Sequence, residues 1–355
     1  MIDTLIMRTV LPWVTCQACR KKRQEEKEFQ EPKLTEEEVA AYREEHAIKV
    51  AQGTPDPITR FDDAPFRRDL TGVRALVTGA NQGIGFEVTR QLASQGATVT
   101  MVCRDRSKGE AALERLRDER LRGSLALSVC DISNQHAVKA LVEGIVSTGD
   151  PLNILVNNAG CMVHQRTLTP EGVEANFATN TLGTWALTEG LLPALRKADA
   201  PRVITVSSAG MLTERLATTD LEWAPGGKLG KFDGTRQYAR GKRHQVALTE
   251  YWSRRGGNES VLFVSMHPGW SDTQAVRDAL PGFYSSLKGK LRTPKEGADT
   301  VSWLCAAPKD ALEPGGFYLD RRTVPKHVST NFLTGTSYAD EKVQRLVERL
   351  EERLA

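Results

Sequence analysis

The stretch Val73-Arg-Ala-Leu-Val-Thr-Gly-Ala-Asn-Gln-Gly-Ile-Gly85 decides the fold. It opens as an apolar run of strand length, breaks at a glycine turn, and continues into residues with the apolar spacing of a helix. A strand that passes through such a turn into a helix is a phosphate-binding unit. Gly79, Gly83 and Gly85 let backbone come close to a ligand, and the helix start presents unpaired N–H groups and the positive end of its dipole to an anion. Taken alone, the same turn also serves merely to close a βα unit.

Downstream, short apolar runs at 97–103, 125–129, 152–157, 202–207, 261–265 and 316–319 alternate with helical patterns. This is a βαβ series. It predicts an α/β fold, a Rossmann-type doubly wound parallel sheet, with ligands at the carboxyl ends of the strands. One catalytic domain over 71–320 is expected, preceded by an extension (1–70) and followed by a tail (321–355). In the tail, Val343, Leu346, Val347, Leu350 and Leu354 share one helical face, either packed on the body or used for dimerisation.

Tyr238-Ala-Arg-Gly-Lys242 places a phenol and an ammonium one helical turn apart on one face. A nearby cation favours phenolate and is expected to lower a phenol pKa whose ordinary value is about 10. Such a tyrosine can trade protons with an alcohol or a carbonyl. The spacing by itself also arises on solvated helices with no function.

The Gly-x-x-x-Gly-x-Gly turn after Thr78, the turn Asn157-Asn158-Ala159-Gly160, and the Tyr238/Lys242 pair stand in the order that resembles the short-chain dehydrogenase/reductase family. The resemblance covers roughly Val73 to Asp320, and further stretches narrow it to one member without identifying a substrate. It implies that Thr78, Gly79, Asn81, Gly83, Ile84 and Gly85 bind the phosphates of a dinucleotide. It also implies that Asp131 and Ile132 contact the adenine, although Asp131 equally suits a helix cap. Asn158, Ala159 and Gly160 border the cofactor. Pro268, Gly269 and Thr273 meet the carboxamide or phosphates, and Tyr238 and Lys242 touch the cofactor as well. Catalysis is assigned by the resemblance to Ser208, Tyr238, Lys242 and Asn180, the last anchoring a proton relay through a water beside the lysine.

The family's carboxylate for an unphosphorylated ribose is missing: Cys103 stands at its position and Arg104 follows, so NADP(H) is expected over NAD(H). Asp105 is close enough to blur that register. The spacing from Ser208 to Tyr238 is thirty residues (238 − 208), longer than in simpler members, and leaves the choice between Ser207 and Ser208 to be tested. Within that loop, Trp223, Phe232 and the glycines of 226–230 either border a substrate cleft or cover an edge. Residues 274–292, with Leu280, Pro281, Phe283 and Tyr284, sit where relatives carry an apolar lid, or form ordinary surface helix. His267 is a second acid/base candidate or a locally bonded strand-end histidine.

Composition bounds the rest. The chain has 355 residues, 40% hydrophobic and 26% charged, with net charge +3, enough for a core and too mild for nucleic-acid binding. The six cysteines lack the density of a disulfide framework, which favours the cytoplasm or another reducing compartment. Cys16-x-x-Cys19 has no second pair at zinc spacing, so no metal is expected. The apolar stretch Ile2–Val14 is broken by Asp3, Arg8 and Pro12, too short for a span of roughly 18 residues. With Arg20-Lys21-Lys22-Arg23 it suits a membrane surface, a targeting segment or a plain arm. Thr35 and the glutamates after it read as a capping box for a helix over 35–50.

The expected function is carbonyl/alcohol interconversion with NADP(H) on a small, lipophilic substrate, with a homo-oligomer possible. The alternative is a catalytically silent NADP(H)-binding scaffold acting through partner or membrane contacts.

Overall fold

β1 (Arg74–Thr78) is buried from Ala75 onward and lies between two parallel neighbours, β2 (Thr98–Cys103) and β4 (Ile154–Asn157). Its side chains alternate: Ala75 and Val77 join one core, and Leu76 the other. A strand covered on both faces must be apolar throughout, which is why the opening stretch shows no period of two. The computed structural model describes residues 68–327 and 336–355. The expected helix over 35–50, the basic cluster and the Cys16/Cys19 pair lie outside them.

Eight strands form one sheet in the order β3-β2-β1-β4-β5-β6-β7-β8, the remaining ones being β3 (Ser124–Val129), β5 (Arg202–Val206), β6 (Leu262–Met266), β7 (Phe317–Leu319) and β8 (Arg322–Thr323). All pairings are parallel except β7 with β8. That two-residue edge strand was not anticipated, because Arg322 and Thr323 carry no apolar run to mark it. Chain order reverses between β1 and β4, which opens a crevice at their carboxyl ends.

Helices α1 (Gly83–Ser94), α2 (Arg106–Asp118) and α8 (Pro294–Ala306) cover one face. The other carries α3 (Gln135–Ser147), α4 (Gly183–Leu195), α5 (Gly234–Arg254) and α9 (Asp340–Leu354). Two short helices, α6 (Gln274–Ala279) and α7 (Pro281–Leu287), occupy the lid position. Pro281 is exposed there while Leu280 and Tyr284 are half-buried.

The tail does pack on the body. Val343, Leu346, Val347 and Leu350 are buried in the same core as Leu248 and Trp252 of α5, whereas Leu354, expected on that face, is 39% exposed at the fraying end. Within the long loop, Trp223 packs against α5. It is 1% exposed, edge-on to Phe232, with the guanidinium groups of Arg236 and Arg240 on α5 at 5.4 and 5.5 Å from its ring. Leu346→Ala should cost about 2–5 kcal/mol of unfolding free energy, as for other buried leucines. Chemical denaturation measures it, and a loss under about 1 kcal/mol would mean that α9 is not part of the core.

Candidate active site

β5 runs out at Val206 into Ser207 and Ser208, opposite the face of α5 that carries Tyr238 and Lys242. Ser208 caps the 3₁₀ turn Ala209–Thr213, its Oγ accepting from the Gly210 N–H at 3.2 Å, and its hydroxyl is near enough to Tyr238 to favour the phenolate. Ser207 is engaged elsewhere, its Oγ donating to the Lys242 carbonyl at 2.8 Å. Lys242 is 3% exposed; its Nζ donates to the Val206 carbonyl at 2.9 Å and lies 5.4 Å from the centre of the Tyr238 ring. Gly160 leaves room for this arrangement. A Cβ there would come within 2.9 Å of Asn180 Oδ1 and 3.3 Å of Lys242 Nζ.

Electrostatics depart from the expectation that the ammonium lowers the phenol. Burial pushes Tyr238 up to about 12, against the Ser208 hydrogen bond, which lowers it. Burial also pushes Lys242 down to about 8. Desolvation is the largest cause for both, because each charged form is disfavoured in low dielectric. Tyr238 is therefore a protonated donor at neutral pH.

Asn180 is fully buried in a π turn, Ala178–Leu182, between the short helix Ala175–Phe177 and α4. Its Oδ1 accepts from Cys161 N at 3.1 Å and its Nδ2 donates to Cys161 O at 2.8 Å. Asn176, four residues earlier, does the same for Val163, accepting at 2.9 Å and donating at 3.1 Å. Two amides thus stand in for a neighbouring strand and hold 161–163 along the helix. Asn176 was missed as a site residue, although the Asn-x-x-x-Asn spacing was visible. The Asn180 carbonyl, released from helical bonding by the π turn, accepts from Gln245 Nε2 at 2.9 Å and from Thr184 Oγ1 at 3.2 Å. The relay role expected of Asn180 thus competes with these internal partners.

Thr78 likewise is not free for a ligand. It is 2% exposed, and its Oγ1 accepts from Asn158 N at 3.0 Å and Ala159 N at 2.9 Å while donating to Val156 O at 3.3 Å. Asn158 Nδ2 returns the contact, donating to Thr78 O at 2.8 Å. Both residues fasten the two lips of the crevice. Gly85 sits under this clasp, where a Cβ would lie 2.4 Å from Gly79 O. Gly79 and Gly83 turn through left-handed backbone, φ 65° and 58°.

The turn fits a dinucleotide phosphate. α2, α3, α5 and α8 are capped by the side chains of Asp105, Asn134, Asp233 and Thr293, but Gln82 gives α1 no side-chain cap and its first turn holds no acid. The opening amides of α1 are left for an anion. Asn81, Gly83 and Ile84 keep part of their surface exposed. Thr273 closes the far side, its methyl 3.4 Å from where a Gly83 Cβ would stand, in the turn that includes Pro268 and Gly269.

Arg104 is exposed, two residues past Val102, whose carbonyl accepts from Gly79 N at 2.8 Å. The Asp105 carboxylate accepts from Lys108 N at 2.9 Å, capping α2. Asp131 does not cap α3. Asn134 does, while Asp131 accepts from Ser133 N at 2.9 Å and Oγ at 2.7 Å, and Ile132 is buried. His267 is buried, its backbone N–H donating to Tyr318 O at 2.9 Å.

Two buried ion pairs beside the Gly269 turn were not foreseen: Arg292 with Asp320 at 2.6 and 2.8 Å, and Arg321 with Asp299 at 2.8 and 3.0 Å. Arg292 lies across Gly269, where a Cβ would meet its side chain at 2.7 Å. Partners so far apart in sequence leave no local signal.

Comparison with known proteins agrees with this geometry. The family described as short chain dehydrogenase matches residues 74–218. Dehydrogenase/reductase SDR family member 12 is 45% identical in Bos taurus, over 80% of this chain and 86% of the relative. The Homo sapiens protein of that name is 42% identical, over 78% and 85%. Retinol dehydrogenase 12 of Homo sapiens is 32% identical over 71% of this chain and 78% of its own. The chain belongs to the short-chain dehydrogenase/reductase family and is an oxidoreductase. The RhlG/NADP active-site complex of Pseudomonas aeruginosa shares the fold, with TM-score 0.57 at 22% identity over 71% of this chain and 96% of that one. The 3-ketoacyl-(acyl-carrier-protein) reductase of Brucella melitensis complexed with NADH shares it too, at TM-score 0.55 and 24% identity, over 70% and 96%.

Lys242 has a measurable consequence for stability. Its folded pKa, about 8, lies below the usual 10.5, so between these values the unfolded chain binds more protons and stability must rise with pH. The cost of burying the ammonium is complete below pH 8 and relieved above 10.5. Lys242→Met removes it, so the gap between variant and wild-type stability should shrink as pH climbs through that window. Thermal melting across pH 7–11 checks this, and a constant gap would contradict it.

Proposed function

We propose that the protein interconverts a ketone or aldehyde with its alcohol by hydride transfer, preferring NADP(H) to NAD(H) and taking a lipophilic substrate. The observation that carries this reading is the juxtaposition at the carboxyl end of β5, where the buried Lys242 ammonium, tied to the Val206 carbonyl, lies 5.4 Å from the Tyr238 ring and Ser208 follows two residues later in the chain.

When bound, the dinucleotide supplies or accepts the hydride. The residues do the rest. Gly79–Gly85 and Thr273 would hold its phosphates, Lys242 its nicotinamide ribose, and Arg104 a 2′-phosphate. Asp131 and Ile132 would border the adenine, and Pro268 and Gly269 the carboxamide. Tyr238, kept protonated by burial, donates to a carbonyl oxygen as negative charge builds there, and Ser208 adds a second hydrogen bond to the same oxygen. In the oxidative direction the deprotonated Tyr238 oxygen accepts the proton of the alcohol as the hydride leaves its carbon. Asn176 and Asn180 keep 161–163 in place as a wall of the site. Support for a lipophilic substrate comes from the retinol dehydrogenases among the relatives, named for an apolar alcohol, and from the apolar residues Leu280, Pro281, Phe283 and Tyr284 in the stretch where α6 meets α7. Support for NADP(H) is Arg104, with Asp105 withdrawn into its cap.

Purified protein offered NADPH and a panel of ketones, aldehydes and lipid carbonyls should oxidise the cofactor with at least one. Tyr238→Phe should lower kcat by about 10²-fold or more with NADPH affinity nearly intact; normal turnover by that variant would remove Tyr238 from the mechanism. Stabilisation by NADPH with no turnover across the panel favours the silent scaffold. Arg104→Ala should raise the KM for NADPH by about tenfold, the equivalent of one charge-assisted contact, and leave NADH almost unchanged. Equal effects on the two cofactors refute the NADP(H) preference.

A further inference from the structure

Arg243, the residue after Lys242, is wholly buried on α5. Its Nε donates to the carbonyls of Met211 at 3.0 Å and Glu214 at 3.3 Å. These carbonyls lie at the far end of the 3₁₀ turn that Ser208 caps. On its other side Nη1 donates to the Lys326 carbonyl at 2.7 Å, in the segment that follows β8. A second set of contacts holds that segment to α5. Glu250, two turns beyond Arg243, accepts from Lys326 Nζ at 2.7 Å and from the Tyr338 hydroxyl at 2.5 Å. Between the two sets, Met211, Val246 and Phe317 form a small core of their own, with Leu212 and Val324 against it. One guanidinium therefore spans three pieces of chain: the catalytic helix, the serine turn and the strap at 322–327.

We propose that Arg243 is a positioning residue that sets Ser208 against Tyr238, and that the strap, pinned by Glu250, Lys326 and Tyr338, is the outer support of that arrangement. The physical reason is over-determination. A five-residue 3₁₀ turn holds itself poorly, since its hydrogen bonds are few and strained. Carbonyl acceptance from a rigid, planar guanidinium anchored on a long helix removes the freedom that the turn would otherwise have. Lys242 and Arg243 divide the labour: one ammonium ties α5 to the end of β5 at Val206, and the guanidinium beside it ties α5 to the turn that leaves that strand. Among the described residues no hydrogen bond joins strap or turn to the glycine loop at α1, so loss of Arg243 should spare cofactor binding. The inference rests on the reading that Ser208 and Tyr238 act together on one substrate oxygen.

The test uses the full chain and the variants Arg243→Met, Arg243→Lys and Glu250→Gln. Hydrogen–deuterium exchange of peptides covering 208–214 should quicken by at least about tenfold in Arg243→Met, while peptides from β1 and α1 exchange as in the wild type. On the carbonyl that the wild type reduces fastest, kcat should fall about tenfold to a hundredfold with the KM for NADPH unchanged. Arg243→Lys, which keeps a cation and one donor direction, should recover part of that loss. Unaltered exchange at 208–214 overturns the proposal, as does a fall in NADPH affinity parallel to kcat. Where Arg243→Met does not fold, Glu250→Gln decides by the same peptides: faster exchange at 208–214 supports the coupling through the strap, and no change overturns it. A wild type that reduces nothing on the panel defeats the functional reading, whereas exchange still decides whether Arg243 holds the turn.

Discussion

A single hydroxyl, that of Thr78, holds the crevice together. It stands where the order of strands reverses, at the end of β1, and takes two amides from the chain leaving β4. The net worth of each such hydrogen bond is about 1 kcal/mol, but a buried amide left without a partner costs about 1–3. Two unsatisfied amides at this spot would open the lips of the site before any core side chain moved. The glycine turn on one lip and Asn158–Gly160 on the other inherit their separation from this contact. Gly160 in turn makes the space in which Asn180 and Lys242 meet.

The chemistry of the site is set by what burial does to charge. An ammonium at 3% exposure survives because a strand-end carbonyl accepts from it, and its depressed pKa shows that the bargain is poor for stability. The phenol beside it is kept in its neutral form, the form that can give a proton away. Around the Gly269 turn the opposite solution is used, with each buried arginine matched by its own aspartate in two-point contact.

Much of the fold was legible because its signals are local. Continuous apolar runs marked six strands after β1, and the amphipathic spacing of Val343, Leu346, Val347 and Leu350 marked the tail helix that packs on α5. The strand β8 was not legible, since two polar edge residues have no pattern of their own. Within the site, residue types at strand ends and one turn apart on α5 could be read, but their hydrogen bonds could not. Thr78 looked like a ligand contact and is a clasp; the Tyr238 phenol looked acidified and is the reverse, because periodicity carries no information on desolvation. Arg243 and the two arginine–aspartate pairs escaped notice for a related reason: each joins segments that only the folded chain brings together.

The docking of α9 bears on how the molecule is built. Part of the apolar surface of the helix that bears Tyr238 stays uncovered until a segment about ninety positions later in the sequence has been synthesised and has folded back on it. During that interval the part of α5 that α9 will cover is open to whatever is nearby. A chaperone that binds emerging chains would find its target there, and a truncation in the tail would leave an oxidoreductase whose sheet is complete but whose flank is adhesive.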